Sequence, residues 1–343
     1  MSPHSAAKRI RVNWRLWIGL AFSAVCLWLA ARGVDLRDMV RSLADANPFW
    51  LLLAVFSVAV TFWLKAVRWR MLFDRPVRPS LSRSFAVLCI GLFVNGFFPA
   101  RLGEVARALL VGQETGRSYT LGTIVVEKVA DLVLFAAMTV VLLMRLSLPE
   151  WLLEPARASM VLMAVAVVGC AALAWQGKLA LRLLSLALRI LPEQWRTWLS
   201  RQAGQGLASL EMLRRPRLVV GVLAWSTVIW VLGAATNYIV FLAVGLKPMV
   251  LPSVLLLVVL QAGVAVPSSP GRLGVFHYLA IITLSLFAVG KDQALVYAVA
   301  LHLSVYLPMI VLGLWYMWRE EVSWTQLWPA RPRATALPGS DPS

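Results

Sequence analysis

Long apolar stretches separated by short charged gaps dominate the hydrophobic pattern of the chain. A helix needs about 20 mainly apolar residues to span a bilayer, and the pattern predicts six such spans. They cover residues 16–31, 48–64, 121–144, 159–175, 218–246 and 294–318. The sequence therefore predicts an all-α polytopic membrane protein.

The composition agrees with this prediction. Of the 343 residues, 60% are hydrophobic and 14% are charged, whereas soluble domains carry about 25% charged residues. The three cysteines lie within apolar stretches without paired spacing, which indicates neither a disulfide framework nor a metal site. Four basic residues precede the first span, as in a signal peptide, but Leu29 occupies a position where cleavage requires a small residue. We expect a retained signal anchor.

The net charge of +17 fits membrane orientation better than nucleic-acid binding, because short cytoplasmic loops collect Lys and Arg. The gap after the first span is balanced, whereas 65–83 holds six basic residues and one acid. The segment 177–217 holds eight basic residues and two acids. We expect both segments and both chain termini in the cytoplasm. Segment 177–217 is predicted as an amphipathic connector on the inner leaflet, with partner binding as the alternative.

This orientation determines how two further apolar regions enter the bilayer. Region 85–112 must begin and end in the cytoplasm, and region 250–290 must begin and end outside. Each contains two helical pieces broken at a proline, and the second piece of the first region is too short to cross the bilayer core. We therefore predict two opposed hairpins. The second region has longer arms, and two full spans remain an alternative there.

The two breaks share a short sequence motif, "FFPARLGEV" and "SSPGRLGVF". At a constant offset of 171, the matching residues are Pro99, Arg101, Leu102 and Gly103 with Pro270, Arg272, Leu273 and Gly274. The match predicts a duplication with inverted topology. Transporters with this arrangement form their substrate site near the midplane of the bilayer. The predicted halves are 48–175 and 218–318, in a single transmembrane domain 1–320 followed by a disordered cytoplasmic tail, 321–343.

The breaks also carry the candidate chemistry. Proline and glycine interrupt the helix, and the free N–H groups where a helix restarts favour an anion. Arg101 and Arg272 add forked donors that fit phosphate. Glu104 lies three residues from both Arg101 and Arg107 and can pair with either on a helix.

The long spans after each break add further ionisable groups. Glu127 and Asp131 are four residues apart and share a helix face, and they serve either as structural ion-pair partners or as ligand contacts. The offset of 171 places His302 opposite Asp131, and His277 follows the second break. The two histidines are candidates for the site or for hydrogen-bonded packing. Without a metal, nucleotide or nucleophile motif in the sequence, we expect no cofactor.

The motifs "NGFFPARLGEVAR", "VVEKVADL" and "PSSPGRLGVF" resemble the flippase-like family typified by the transmembrane domain of lysylphosphatidylglycerol synthase, over nearly the whole chain. The resemblance implies a bacterial inner-membrane protein that moves a phospholipid or polyprenyl-type lipid between leaflets. The family's motif residues fall on Asn95, Pro99, Arg101, Gly103, Glu104, Glu127, Asp131, Pro270, Gly271 and Gly274. The chain departs from the family at His277, where relatives often carry an acid, and at His302, where arginine is common. The second motif also resembles the subgroup linked to hopanoid lipids.

Three functions follow from these observations. The leading hypothesis is a lipid translocase whose two hairpins form a groove for a head group, with membrane lipids as its partners. The second is an intramembrane transferase on a phosphorylated isoprenoid, with Glu104, Glu127 or Asp131 as a base and a requirement for divalent metal. The third is a non-catalytic subunit that binds lipid-biosynthesis enzymes, in which neutralising Arg101 and Glu104 would have no effect. Lipid aminoacylation is not expected, because no soluble transferase domain follows residue 320.

Overall fold

The computed structural model describes residues 14–33, 36–74, 76, 78–98, 102–146, 149–187, 193–265 and 268–323. Within these ranges every regular element is helical, which confirms the all-α class. The α-helices are α1 Trp14–Ala31, α2 Leu36–Ala44, α3 Pro48–Met71, α4 Leu81–Phe97, α5 Leu102–Thr115, α6 Arg117–Arg145, α7 Glu150–Ala187, α8 Glu193–Leu210, α9 Pro216–Ala243, α10 Val250–Ala262, α11 Val275–Ser285 and α12 Lys291–Arg319.

Among the described residues, four segments are long and apolar enough to cross a membrane: Pro48–Met71, Arg157–Gly177, Pro216–Ala243 and Lys291–Arg319. The sequence predicts six, and the other two differ from these four in length or charge. Helix α1, Trp14–Ala31, has 18 residues, and among its residues whose side chains the structure describes the apolar stretch is Leu20–Ala31. Helix α6 has 29 residues, about 43 Å at 1.5 Å per residue, but its centre carries three charged residues, so it is long enough without being apolar enough.

The helices beside the two sequence motifs are short. Helix α4 ends at Phe97 and α5 begins at Leu102, while Pro99 and Arg101 lie outside the described residues. In the second motif, α10 is followed by the 3-10 turns 263–265 and 270–272, and then by α11. At 1.5 Å per residue these four helices are about 17 to 26 Å long, less than the roughly 30 Å of the hydrocarbon core.

Among the described residues, four apolar clusters hold the helices together, and two of them are much larger than the others. One is formed mainly by α3, α4, α5 and α6 with the start of α9, and the other by α9, α10, α11 and α12 with contributions from α1 and α3. Large apolar side chains such as Phe49, Leu52 and Phe56 on α3 point outward. Since exposed apolar surface of this kind is unfavourable in water, it fits a lipid-facing surface.

The segment 177–217, predicted as a connector, contains the end of α7 and all of α8. Helix α7 continues through Gly177 to Ala187, with a non-helical backbone at Gln176, and α8 follows after a gap in the described residues. Helix α8 packs against α6, where a Cβ on Gly122 would lie 1.7 Å from the Ser209 Oγ. This close contact attaches α8 to the helical bundle.

Candidate functional site

Arg68, in the last turns of α3, is completely buried, with 0% of its surface exposed. Its Nη1 donates to the Asp131 Oδ1 at 2.5 Å and to the Ser226 Oγ at 2.7 Å. Its Nη2 donates to the Glu127 Oε1 and to the Asp131 Oδ2, each at 3.2 Å. One guanidinium group therefore connects α3 with α6 and α9.

Arg107 on α5 adds a second buried cation beside the first. Its Nη2 donates to the Glu127 Oε2 at 2.6 Å, so each oxygen of Glu127 accepts from a different arginine. The Arg107 Cζ lies 4.1 Å from the centre of the Trp69 ring, a distance at which the ring face attracts a cation. The Trp69 Nε1 in turn donates to the Thr123 Oγ1 at 3.2 Å, which fixes the indole against α6.

Arg68, Arg107, Glu127 and Asp131 form what we call the ionic cluster. Their two positive and two negative charges cancel, which offsets the cost of removing charges from water. The Nε atoms of both arginines are buried and have no hydrogen-bond partner in the described part of the chain. The ionic cluster therefore retains N–H donors that a further acceptor can use.

A second ion pair lies at the edge of the ionic cluster. The Lys128 Nζ is 3.1 Å from the Glu104 Oε1, and 45% of the Lys128 side chain is exposed. Asp131 is also accessible, with 26% of its side chain exposed. The ionic cluster is thus buried at Arg68 and open beside Lys128.

Of the two partners that the spacing allows Glu104, Arg107 is not the one it contacts. Arg107 reaches across to Glu127, and Glu104 pairs with Lys128, because α5 packs along α6 and brings residues of the neighbouring helix within reach. The alternative partner of Glu104, Arg101, lies outside the described residues.

Asn95 and two glycines determine how α5 is placed. The Asn95 Oδ1 accepts a hydrogen bond from the Gly103 N–H at 2.7 Å, one of the amides that has no partner inside its own helix. A Cβ on Gly103 would lie 1.9 Å from the Gly91 carbonyl oxygen, and one on Gly91 would lie 2.7 Å from the Arg107 Cγ. Only glycine permits this approach of α4 and α5, which positions Arg107 for the ionic cluster.

The second motif forms a different local structure. Gly271 and Arg272 have φ values of 72° and 55°, and Gly274 has a φ of 86°, a backbone region that favours glycine. A Cβ on Gly274 would lie 2.2 Å from the Ser23 carbonyl oxygen. The Ser269 N–H donates to the Ser23 Oγ at 2.7 Å. The turn around Pro270 therefore packs closely against α1.

His302 on α12 supports the same turn. Its Nε2 donates to the Gly271 carbonyl oxygen at 2.9 Å, and because a carbonyl only accepts, this nitrogen carries the proton. Its ring stacks on Tyr306 at a centroid distance of 4.1 Å and lies 5.0 Å from the ring of His277. The His277 Nδ1 is buried and has no hydrogen-bond partner among the described residues. The structure thus brings the two predicted histidines together.

The two motifs approach each other in the fold. Helix α4 packs against the turn 270–272. A Cβ on Gly96 would lie 2.5 Å from the Met309 Cε and 3.9 Å from the Tyr306 Cε1. The end of α4, which carries Asn95, therefore lies beside the part of α12 that holds His302.

The sequence prediction missed Arg68, Ser226 and Trp69 as members of this region. It counted Arg68 as a loop charge in the cytoplasmic gap, which was wrong because α3 continues to Met71. The sequence did contain an indication that Arg68 belongs to the site. Glu127 and Asp131 lie within an apolar helix, and two carboxylates there require a cationic partner.

The candidate residues do not form a metal centre in the described ranges, where no group of three or more His, Cys, Asp or Glu side chains has a metal-binding arrangement. The site consists instead of two polar regions, the ionic cluster and the histidine-supported turn. Such an arrangement can bind a polar or anionic group by hydrogen bonds and charge.

Comparisons with known proteins give related membrane proteins. A UPF0104 membrane protein of Methanothermobacter thermautotrophicus is 26% identical over 349 residues, covering 92% of this chain and 96% of the relative. A UPF0104 membrane protein of Methanocaldococcus jannaschii is 23% identical, covering 65% of this chain and 92% of the relative. Glycosyltransferase AglD of Haloferax volcanii is 28% identical over 144 residues, which are 40% of this chain and 23% of that protein.

No solved structure matches the chain. The family model of the lysylphosphatidylglycerol synthase TM region matches residues 16–313, a range that includes the ionic cluster, both motifs, three of the four membrane-length helices and most of the fourth, α12. The chain is a multi-pass membrane protein and belongs to the lysylphosphatidylglycerol synthase TM region family.

Proposed function

We propose that this protein is a lipid translocase of the bacterial inner membrane. It moves a phospholipid or a polyprenyl-type lipid between leaflets, and both chain termini lie in the cytoplasm. The head group crosses along a polar path between the two broken-helix motifs, while the hydrocarbon chains stay in the surrounding lipid. The ionic cluster is the observation that carries this proposal.

Charges within a membrane protein are costly, and they mark substrate paths in many such proteins. The ionic cluster is neutral, so it tolerates burial, yet the Nε atoms of Arg68 and Arg107 have no described acceptor. Guanidinium N–H groups bind phosphate oxygens strongly. The half-exposed side chain of Lys128 lies at the edge of the ionic cluster, and in this proposal a phosphate head group approaches the two arginines from that side.

The order of the helices supports a duplicated scaffold. Adding the motif offset of 171 to the first residues of α3, α4, α5 and α6 gives 219, 252, 273 and 288, and α9, α10, α11 and α12 begin at 216, 250, 275 and 291. Packing follows the same correspondence, since α3 packs on α4 as α9 packs on α10, and α5 packs on α6 as α11 packs on α12. Together with the opposite orientations inferred from the basic segments, this supports an inverted repeat.

Helix lengths support the two opposed hairpins. Each of α4, α5, α10 and α11 is shorter than the hydrocarbon core, so a pair of helices can enter and leave on one side. This favours a hairpin over two full spans in region 250–290. Helix α4 contacts the turn 270–272, and this contact supports a shared head-group path formed by the two motifs.

The partial similarity to glycosyltransferase AglD favours a second candidate, an intramembrane transferase acting on a phosphorylated isoprenoid. In this candidate Glu104 is the best base, because its Oε2 is buried and has no partner among the described residues. Glu127 is less suited, since both of its oxygens accept from arginines. A transferase would form a product and depend on a divalent metal, whereas a translocase would show neither property.

The test is lipid movement in proteoliposomes, followed by loss of fluorescence from labelled phospholipids when a quencher is added outside. We expect Arg101→Ala combined with Glu104→Gln to abolish movement. The matched control is Glu154→Gln with Arg157→Ala, which removes an exposed ion pair of α7 and should move lipid at the wild-type rate. Normal movement in the folded Arg101 and Glu104 variant would contradict the groove and favour the subunit hypothesis.

A further inference from the structure

An apolar cavity of about 240 Å³ lies between α6, α7 and α9. Its lining includes Val126 and Ala130 on α6, Val167 and Ala171 on α7, and Val222 on α9. The cavity is separate from the ionic cluster, because the side chains of Glu127 and Arg68 point to other partners. Apolar cavities of this kind exclude water and accept hydrocarbon.

The mouth of the cavity is basic. Trp175 forms part of the lining and is largely exposed, so the cavity reaches the outer surface of the bundle there. Arg214 lies at this point, with its Nε donating to the Ala174 carbonyl oxygen at 2.8 Å and its Nη2 to that of Trp175 at 3.0 Å. Arg217 is exposed immediately before Leu218, another lining residue.

We propose that this cavity binds one acyl chain of an anionic phospholipid whose head group lies against Arg214 and Arg217. An all-apolar interior selects a hydrocarbon chain, and two arginines at the mouth select negative charge. The occupant is therefore a single bound lipid drawn from the leaflet on the basic side. This lipid is retained by the protein and is distinct from the lipid that the ionic cluster moves.

Native mass spectrometry of the full chain in detergent tests the proposal, with dioleoylphosphatidylglycerol or dioleoylphosphatidylcholine added. We expect the wild type to retain one phosphatidylglycerol through delipidation and to lose phosphatidylcholine. Ala171→Leu fills the cavity and should reduce retention to background. Its control, Ala172→Leu, adds the same side chain to the exposed neighbouring position and should leave retention unchanged. Arg214→Gln with Arg217→Gln should lower phosphatidylglycerol retention to the phosphatidylcholine level.

Equal retention in the Ala171→Leu and Ala172→Leu variants, or equal retention of the two lipids by the wild type, would overturn the proposal. A second measurement needs no variant: phosphatidylglycerol with a diazirine at the chain end should crosslink to the wild type within 126–133, 167–175 or 218–223, the lining segments of α6, α7 and α9. Crosslinks confined to other helices would also contradict it. Both measurements detect binding without transport, so their outcome is independent of the proposed translocase activity.

Discussion

Arg68 on α3 and Asp131 on α6 are joined by a hydrogen-bonded ion pair in which the Arg68 Nη1 lies 2.5 Å from the Asp131 Oδ1. The two residues are 63 positions apart in the chain, and the contact places a charged pair inside a bundle that is otherwise apolar. Glu127 accepts a hydrogen bond from the second terminal nitrogen, Nη2, of the same guanidinium group. The charges that interrupt the apolar pattern of α6 are thereby neutralised within the fold.

Arg68→Gln should destabilise the protein because it leaves Asp131 and Glu127 with one cation fewer in a buried position. Removing one partner of a buried pair costs about 3–5 kcal/mol. We expect a smaller loss for Arg68→Gln combined with Asp131→Asn, which removes one charge of each sign. Denaturant unfolding in detergent measures both variants. Arg157→Gln, in an exposed pair, is the control, with an expected effect of about 0–1 kcal/mol. If Arg68→Gln and Arg157→Gln lower the free energy of unfolding equally, Arg68 does not have the proposed structural importance.

Gly103→Ala should separate α4 from α5, since the added Cβ would lie 1.9 Å from the Gly91 carbonyl oxygen. Overpacking costs about 1–3 kcal/mol, and backbone contact leaves little room for adjustment. Gly169→Ala on α7 is the matched control, because nothing lies within 4 Å of its Cβ position. The control should be neutral or stabilising by up to about 1 kcal/mol. Thermal unfolding of the two variants checks the difference, and similar midpoints would argue against close packing at Gly103.

His302→Leu should weaken the second turn, because it leaves the Gly271 carbonyl oxygen without its donor. An unsatisfied buried polar group costs about 1–3 kcal/mol. His302→Gln keeps an N–H donor of similar reach and should lose less stability. The comparison is made by thermal unfolding in detergent. If the leucine and glutamine variants unfold at the same temperature, the hydrogen bond to Gly271 does not support the turn.

Cysteine labelling tests the proposed orientation. Arg117→Cys at the start of α6 should react only with reagent supplied on the cytoplasmic side. Lys291→Cys at the start of α12 should react only from outside, because both helices begin at exposed positions and the proposed orientation puts these positions on opposite sides. The wild type serves as the unlabelled control, since Cys26, Cys89 and Cys170 are buried. Labelling of both positions from one side would contradict the inverted arrangement of the two halves.

The sequence was sufficient to predict the helical class and the membrane location. Apolar length determines these features locally. The same reasoning identified Glu127 and Asp131 as neighbours on one helix face, and the structure brings both to Arg68. These are properties that neighbouring residues determine without knowledge of how the helices pack.

The partners across helices could not be predicted in this way. In the sequence, Arg68 resembles a basic residue of a cytoplasmic loop, because its charge does not reveal whether α3 ends before or after it. The offset of 171 predicts equivalent sites in the two halves, yet it places Ile239, Tyr278 and Ala298 opposite Arg68, Arg107 and Glu127. The ionic cluster therefore belongs to the first of the two proposed halves only, and the proposed repeat does not extend to its chemistry.

The most direct test of the central claim is phospholipid movement in proteoliposomes by Arg68→Gln combined with Asp131→Asn. This variant keeps the charge balance and should remain folded, but it removes a buried guanidinium group that would bind the head group. Hydrogen bonds to charged groups contribute about 1.5–3 kcal/mol, so we expect movement to slow roughly tenfold to a hundredfold. Movement at the wild-type rate by this folded variant would contradict a lipid path through the ionic cluster.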